Sequence, residues 1–199
     1  MKEGITAATA EAPAPAVPDV VLFARALAFA AHAHCDQRRK GARAEPYVNH
    51  VAEVAALVAE ATDGADMVAV VAALLHDTLE DTDTTQDQLA AAFGPAVAAT
   101  VAEVSDDKTL SKAERKRLQI EHAPHVSPSA KLVKLADKIS NLRSLKSSPP
   151  NGWPRKRISD YIDWSILVVD GLRGVNPTLE RQFDAAVREA RAAAAAALG

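Results

Sequence analysis

Apolar residues recur at intervals of three and four along nearly the whole chain, which is the spacing of one face of an α-helix. In one clear case Val51, Val54, Ala55 and Val58 fall on a single helical face. No run of four to eight residues alternates cleanly enough between apolar and polar to predict a strand. The pattern predicts helices over residues 20–34, 47–61, 65–79, 86–92, 95–104, 129–146, 154–171 and 177–197. We therefore predict an all-α fold built as a single domain.

Local signals mark several of the predicted helix ends. Asp19 follows Pro18 and is predicted to cap the first helix. The stretch "TTQD" at 84–87 resembles an N-terminal capping sequence, and "FGP" at 93–95 predicts a stop. The polar segment 105–125 is predicted to be half loop and half surface helix.

Composition refines this picture. The chain has 199 residues, of which 48% are hydrophobic and only 4% aromatic. Alanine dominates the apolar set, so we expect helices that pack closely through small side chains. Residues 1–18, rich in Ala and Pro, are predicted to form a disordered tail. The domain is predicted to span 19–188, and residues 189–199 to be an alanine-rich helix end.

Charge and cysteine content exclude several classes of function. The net charge of -3 argues against nucleic acid as a partner. No apolar stretch approaches the roughly 20 residues that a membrane helix needs, so we expect no membrane association. The single cysteine, Cys35, excludes an internal disulfide and fits a reducing compartment, and we predict a cytoplasmic protein. Composition leaves the oligomeric state open.

The stretch "ALLHDTLEDTDTT" at 73–85 ends a buried helical pattern in a histidine and several acids. Negative charge at a helix C-terminus is unfavourable by roughly 0.3–1 kcal/mol per exposed charge, so a cluster there indicates a function. If the helix continues one more turn, His76, Asp77, Glu80 and Asp81 lie near one face, where they are suited to a metal ion. The alternative is a solvated helix end.

Two other positions supply candidate ligands for the same ion. His50 begins an apolar helix, and Asp137 lies within the apolar run "AKLVKLADKISNLRSL". A carboxylate in a buried helix needs a partner, and an ion pair with Lys134 or Lys138 is the alternative to a metal. With His76 and Asp77, these residues give a mixed nitrogen and oxygen set that favours Mn²⁺, Fe²⁺ or Zn²⁺.

The order of His50, His76-Asp77 and Asp137 resembles the HD-domain metal-dependent phosphohydrolases, whose fold is a helical bundle. Seven stretches across about residues 22–185 are similar to the hydrolase domain of RelA/SpoT-type proteins. They most resemble the stand-alone small alarmone hydrolases, including the metazoan SpoT-homologue type. The stretches are "FAAHAHCDQRRK", "PYVNH", "AALLHDTLEDTDTT", "EVSDDKTL", "ERKRLQ", "AKLVKLADKISNLRSL" and "GW…R…Y…W".

The resemblance implies a manganese-dependent enzyme that removes the 3′-pyrophosphate from guanosine 3′,5′-bispyrophosphate or the pentaphosphate, releasing GDP or GTP. The ligand positions it implies are those of His50, His76, Asp77 and Asp137, and Zn²⁺ or Fe²⁺ are the alternative ions. Glu80 and Asp81 match the acidic pair that orients and deprotonates water. The implied substrate contacts are Arg39 and Lys40 on the guanine base, Asn141 beside the metal, and Trp153, Arg157 and Tyr161 near the bound nucleotide.

Two other functions fit the same residues. Some similar proteins remove the 2′-phosphate of NADPH, and the sequence does not separate the two substrates. A non-catalytic nucleotide sensor is the second alternative, although all four ligand positions and both acids are intact. Among the basic residues of the two basic loops, Arg43, Lys112 and Arg115 are expected to be solvated surface.

Overall fold

The structure, a computed structural model, describes residues 17–196, and these contain ten helices and no strand. The prediction of an all-α fold is confirmed. The predicted disordered tail lies almost wholly outside the described residues, as does the end of the alanine-rich segment. The helices are α1 Asp19–Ala33, α2 Val48–Ala61, α3 Met67–Leu75, α4 Thr78–Asp81, α5 Gln86–Phe93, α6 Pro95–Val104, α7 Lys112–His122, α8 Pro128–Ser147, α9 Arg155–Asp170 and α10 Pro177–Ala196.

Two helices form the centre of the bundle. Every residue of α3 from Ala69 to Leu75 is buried, and this helix packs against α1, α2, α6 and α8. The longer α8 packs against α2, α3, α6, α9 and α10, and its buried residues include Leu135 and Ile139. Alanine and valine on α3 let the neighbouring helices approach closely. Side chains that leave the ends of α3 or the middle of α8 are therefore held in a rigid setting.

The predicted continuous helix 65–79 is wrong, because the chain breaks into α3 and α4 with a turn at His76 and Asp77. The Thr78 hydroxyl donates to the Leu75 carbonyl at 2.6 Å, and Nδ1 of His76 lies 2.8 Å from the Ala73 carbonyl oxygen. Side chains that bond backbone carbonyls in this way compete with helix continuation. Glu80 and Asp81 therefore lie in the first turn of α4 and not at the C-terminus of α3. The unfavourable interaction with a helix C-terminus that was expected for them does not apply.

Two other helix ends agree with their predictions, and one does not. The side chain of Thr85 accepts from the backbone N–H of Gln88 while the Gln88 side chain accepts from Thr85, which completes the predicted cap of α5. Gly94 has a φ of 91°, which glycine adopts without strain, and Pro95 begins the next helix. Asp19 is not a cap, because it is the first residue of α1 and Pro18 precedes it without a side-chain hydrogen bond.

The irregular segment 34–47 joins α1 to α2 and folds back against the end of α8. A single bridge connects Gly41 to Pro150, and the backbone N–H of Asn151 donates to the Lys40 carbonyl at 3.1 Å. A Cβ atom on Gly41 would lie 2.2 Å from Oγ of Ser148, so only glycine allows this close approach. The contact fixes the basic residues of this segment beside α8.

Candidate active site

Four side chains from three parts of the chain converge at one point, and we call them the ligand cluster. His50 comes from the first turn of α2, His76 and Asp77 from the turn between α3 and α4, and Asp137 from the middle of α8. Nε2 of His50 lies 3.3 Å from Oδ1 of Asp137 and 3.7 Å from Oδ2 of Asp77. Nε2 of His76 lies 3.1 Å from Oδ2 of Asp77 and 3.8 Å from Oδ1 of Asp137.

The hydrogen bonds of the two imidazoles decide which nitrogen faces the cluster. The Ala73 carbonyl can only accept, so Nδ1 of His76 donates to it and Nε2 carries the lone pair in the neutral ring. Nε2 of His76 is buried and has no hydrogen-bond partner among the described residues. Nδ1 of His50 is likewise engaged, at 2.9 Å from Oγ of Ser140. Both Nε2 atoms therefore point toward carboxylate oxygens.

The carboxylates of the ligand cluster stay ionised. Burial alone would raise the pKa of Asp77, but the His76 and His50 imidazoles hold it far below its usual range. Burial also opposes ionisation of Asp137, whereas Lys138 and both imidazoles lower its pKa well below the usual value. In the absence of a cation, Asp77 and Asp137 raise the pKa of His76 well above its usual value, although burial lowers it. The cluster thus attracts positive charge.

Neighbouring side chains hold the carboxylates in place. The Tyr47 hydroxyl donates to Oδ2 of Asp77 at 2.6 Å, and burial together with Asp77 raises the pKa of this phenol, which stays protonated. Asn141 donates to Oδ1 of Asp137 at 2.6 Å, and Lys138 donates to Oδ2 at 3.0 Å. The ion pair considered for Asp137 therefore exists with Lys138, while its other oxygen remains in the ligand cluster.

The donor set fits a divalent cation. Two imidazole nitrogens and two carboxylate oxygens lie close together, and the ligating atoms of His50, His76 and Asp137 are all within 4.8 Å of one another. A buried lone pair beside ionised carboxylates is unfavourable unless a proton or a metal ion lies between them. Nitrogen and oxygen ligands together suit Mn²⁺, Fe²⁺ and Zn²⁺.

Glu80 adjoins the ligand cluster. It lines a small cavity of about 50 Å³ together with His76, Asp77 and Asp137. One carboxylate oxygen accepts from the backbone N–H of Asp106 at 3.2 Å, and Nη1 of Arg115 lies 3.4 Å from the other. Burial is the main reason that the pKa of Glu80 is raised. A carboxylate with a raised pKa is better suited to accept a proton.

Asp81 lies differently from Glu80, although the two were predicted as a pair. Its carboxylate forms an ion pair with Lys108 and does not line the small cavity. Its backbone carbonyl accepts from the Gln37 side chain at 2.7 Å. The fold therefore places one acid of the pair in the lining of the cavity and the other outside it.

A larger cleft of about 480 Å³ lies beside the small cavity, and Gln119 lines both. All six residues predicted to contact substrate line this cleft: Arg39, Lys40, Asn141, Trp153, Arg157 and Tyr161. The guanidinium of Arg39 donates to the side chains of Asn141 at 3.2 Å and Ser144 at 3.0 Å. The Arg157 guanidinium stacks on Trp153 at 4.2 Å from the ring centroid.

Sequence reasoning missed several residues that line the cleft. Arg115 was expected to be solvated, which is wrong, because its side chain is 25% exposed and reaches Glu80. Lys112 is exposed but also lines the cleft, whereas Arg43 is a surface residue as expected. Lys116 lies 4.6 Å from the Trp164 ring centroid. Trp164 follows Tyr161 by three residues, a helical spacing that could have indicated a shared face.

Comparisons with known proteins confirm the predicted HD-type fold. The HD domain family model matches residues 26–162. The guanosine-3′,5′-bis(diphosphate) 3′-pyrophosphohydrolase MESH1 of Mus musculus is 53% identical over 152 residues, which cover 76% of this chain and 85% of the mouse protein. The Drosophila melanogaster MESH1 is 47% identical over 167 residues, covering 84% of this chain and 93% of the fly protein.

Two solved structures are similar to this chain in fold. The structure of a metazoan ortholog of SpoT, described as hydrolysing ppGpp and acting in starvation responses, is 45% identical to this chain. It superposes with a TM-score of 0.82, covering 89% of this chain and 98% of that one. A Listeria monocytogenes protein superposes with a TM-score of 0.60 at 32% identity, covering 72% of this chain and 97% of that one.

Proposed function

The chain belongs to the HD domain family, and from that premise we propose that it hydrolyses guanosine 3′,5′-bispyrophosphate to GDP and pyrophosphate. The pentaphosphate would give GTP. The observation that carries this proposal is the ligand cluster, in which two imidazole lone pairs and two carboxylates meet beside a basic, aromatic cleft. The relatives that hydrolyse this nucleotide are about half identical to the chain over most of their length.

The cofactor in this proposal is Mn²⁺, with Zn²⁺ and Fe²⁺ as the alternatives. His50, His76, Asp77 and Asp137 would hold it, because their Nε2 atoms and carboxylate oxygens face one another. Such an ion lowers the pKa of a bound water and offsets negative charge that builds up on phosphate oxygens. Sulfur is absent from the ligand cluster, which is consistent with a harder ion such as Mn²⁺.

Glu80 is the proposed general base. In this reaction the oxygen of water bonds to phosphorus, the bond from phosphorus to the ribose 3′ oxygen breaks, and the 3′ oxygen takes a proton. Glu80 lines the small cavity beside the ligand cluster, and its raised pKa suits it to take the proton from the water. Asp81 lies next to it, and we assign it the orientation of the water and of Glu80.

The cleft is the proposed binding site for the nucleotide. Its arginines and lysines offset the charge of the two pyrophosphate groups, and arginine also stacks on a flat base. Arg39 is assigned to the guanine base together with Lys40, and Asn141 to the nucleotide beside the metal. Arg157 lies over the Trp153 ring, Trp153 lies edge-on to Tyr161, and we assign this group to contact with the nucleotide.

The remaining proposals concern the setting of the enzyme. We propose a cytoplasmic enzyme whose partner is a small nucleotide and not nucleic acid. Among residues 17–196, no helix has the length and apolar character needed to cross a bilayer. The oligomeric state is left open.

The test is hydrolysis of the bispyrophosphate by purified protein with added Mn²⁺, followed by identification of both products. In water enriched in ¹⁸O, the label should enter pyrophosphate and not the 3′ hydroxyl of GDP. Label in GDP would contradict attack at phosphorus. Parallel rates with NADPH decide between substrates, because a higher kcat/KM on NADPH would overturn the assignment. Binding of the bispyrophosphate without turnover would instead indicate a sensor.

A further inference from the structure

The imidazole of His50 is held from behind by two side chains that the proposed reaction does not use. Its Nδ1 lies 2.9 Å from Oγ of Ser140, a buried residue of α8. The Ser140 hydroxyl in turn lies 2.7 Å from Oε2 of Glu53, one turn after His50 on α2. We call the series from His50 through Ser140 to Glu53 the relay.

The direction of these hydrogen bonds follows from what each group can donate. An ionised Glu53 has no proton to give, so the hydroxyl of Ser140 donates to it. That hydroxyl has a single proton, so its oxygen must accept the bond from His50, and Nδ1 of His50 carries the hydrogen. The relay therefore leaves the lone pair on Nε2, the atom that faces the ligand cluster.

The far end of the relay is also held. The other oxygen of Glu53 lies 3.3 Å from Nη1 of Arg143, and Nη2 of Arg143 donates to the Gln182 side chain at 2.9 Å. Ser140 and Arg143 belong to α8 and Gln182 to α10, so three helices fix the position of the Glu53 carboxylate. The side chain of Glu53 is therefore restrained even though it is 39% exposed.

The second histidine of the ligand cluster has no such dependence. His76 donates from Nδ1 to the carbonyl of Ala73, a backbone group that no substitution removes. The tautomer of His76 is thus fixed by the main chain, whereas that of His50 rests on two replaceable side chains. Because only His50 depends on side chains for its tautomer, substitutions in the relay can test its role without affecting His76.

We propose that Glu53 is a positioning residue that acts through Ser140 to hold His50 in the orientation and tautomer needed to bind the metal ion. A carboxylate behind a ligating histidine raises the basicity of the ligating nitrogen, and loss of such a partner typically lowers metal affinity 10- to 100-fold. The inference rests on the metal site of the proposed function and adds two residues to it.

The test is a calorimetric titration of the metal-stripped protein with Mn²⁺ in the absence of nucleotide. Glu53→Ala and Ser140→Ala should each raise the Kd for Mn²⁺ by about 10- to 100-fold. Because Glu53 acts through Ser140, the double variant should bind no more weakly than Ser140→Ala alone. Glu53→Gln, which retains an oxygen that can accept from Ser140, should recover part of the lost affinity.

Glu189→Ala is the matched control, because it removes an exposed ion pair with Lys146 between α8 and α10 without touching the relay. Its Kd for Mn²⁺ should equal that of the unaltered protein. Circular dichroism of each metal-free variant separates weakened binding from unfolding. At saturating Mn²⁺, the KM for nucleotide should not change in Glu53→Ala.

Three results would overturn the inference: a Kd for Mn²⁺ within twofold of the unaltered protein in both single variants, strictly additive losses in the double variant, or an equal loss in Glu189→Ala. The proposed function is judged separately. A protein that binds Mn²⁺ through an intact relay but does not cleave the bispyrophosphate would refute the reaction and leave the positioning role of Glu53 standing.

Discussion

The side chains of the ligand cluster are short, mostly buried and held by hydrogen bonds, whereas those around the neighbouring cleft are long, charged and partly exposed. The cluster comes from α2, the α3–α4 turn and α8, next to the buried centre of the bundle. The cleft is lined by the segment 34–47, α7, the C-terminal part of α8, the loop that follows it and α9. The two regions meet at Gln119 and Asn141.

This difference follows from what each region must do. A cluster that binds a cation needs fixed donor atoms, and a buried helix supplies them because its side chains have few alternative positions. A cleft that holds a large anion needs reach and many donors, which arginine and lysine provide from a less buried surface. We therefore expect substitutions in the cluster to lower kcat and metal affinity, and substitutions in the cleft to raise KM.

The largest effect is expected for Asp77→Asn, which removes a ligand but retains the acceptor for Tyr47. We expect kcat/KM to fall on the order of 10⁴-fold, because the neutral amide of asparagine binds the ion more weakly than the carboxylate of Asp77 does. Steady-state kinetics over a range of Mn²⁺ concentrations measure this. Asp163→Asn, an exposed carboxylate paired with Arg191, is the control. Full activity in Asp77→Asn would remove it from the ligand set.

Glu80→Gln should lower kcat by about 10³-fold, since the amide cannot accept a proton from water. The affinity for Mn²⁺, measured by calorimetry, should change little because Glu80 lines the cavity without belonging to the ligand cluster. Glu114→Gln, on the exposed face of α7, serves as the comparison. A large loss of metal affinity would reclassify Glu80 as a ligand.

Asp81→Asn should remove most turnover, by about 10²-fold, while the fold and Mn²⁺ binding stay largely intact. Its carboxylate lies outside the small cavity and pairs with Lys108, so we expect a smaller loss than for Glu80→Gln. The kcat of the two variants, measured side by side, checks this order. Unchanged activity in Asp81→Asn would refute the role assigned to Asp81.

Within the cleft, Arg157→Ala should raise the KM for nucleotide by about 10- to 100-fold and leave kcat within about twofold, since one charge-assisted contact is worth about 1.5–3 kcal/mol. Lys156→Ala is the neighbouring control, because Lys156 is 85% exposed and pairs with Asp160. If kcat fell in Arg157→Ala by as large a factor as KM rises, the cleft would also stabilise the transition state. The two regions would then not differ in the kinetic constant that they affect.

The smallest expected effect is on stability. The pKa of Glu80 is raised in the folded state, so its protonated form stabilises the fold below the unfolded-state pKa, and this contribution is lost as pH rises through the folded-state pKa. In metal-free protein, Glu80→Gln should therefore raise the Tm slightly at pH 7.5 but not at pH 4. Thermal unfolding at both pH values tests this, with the exposed Glu60→Gln as control. A lower Tm at pH 7.5 would contradict it.

The helical periodicity predicted nearly every helix correctly, because the pattern of burial along a helix is local. It failed at residues 65–79, where the side chains of Thr78 and His76 bond backbone carbonyls and end the helix early. Helix-ending hydrogen bonds of this kind depend on rotamers that the apolar pattern does not encode. The same limit applies to Asp19, whose capping role was expected from residue type alone.

The residues of the candidate site could be predicted from the sequence, whereas most contacts between them could not. The sequence alone named the four candidate ligands and both candidate acids, because their residue types and motifs can be read along the chain without knowing the fold. It did not predict that Arg115 reaches Glu80, that Tyr47 donates to Asp77, or that Ser140 and Glu53 stand behind His50. The residues of each pair are 30 to 90 positions apart in the chain.

What the sequence determined by itself is therefore the all-helical fold, which follows from local periodicity, and the expected kind of chemistry, which follows from the resemblance of its motifs to a known family. What only the tertiary structure decided is how each candidate ligand is held, and that Glu80 lines the small cavity whereas Asp81 lies outside it and pairs with Lys108. The physical reason is that hydrogen-bond partners, burial and pKa are set by neighbours in space. Packing of α2, α3 and α8 brings those neighbours together from distant parts of the chain.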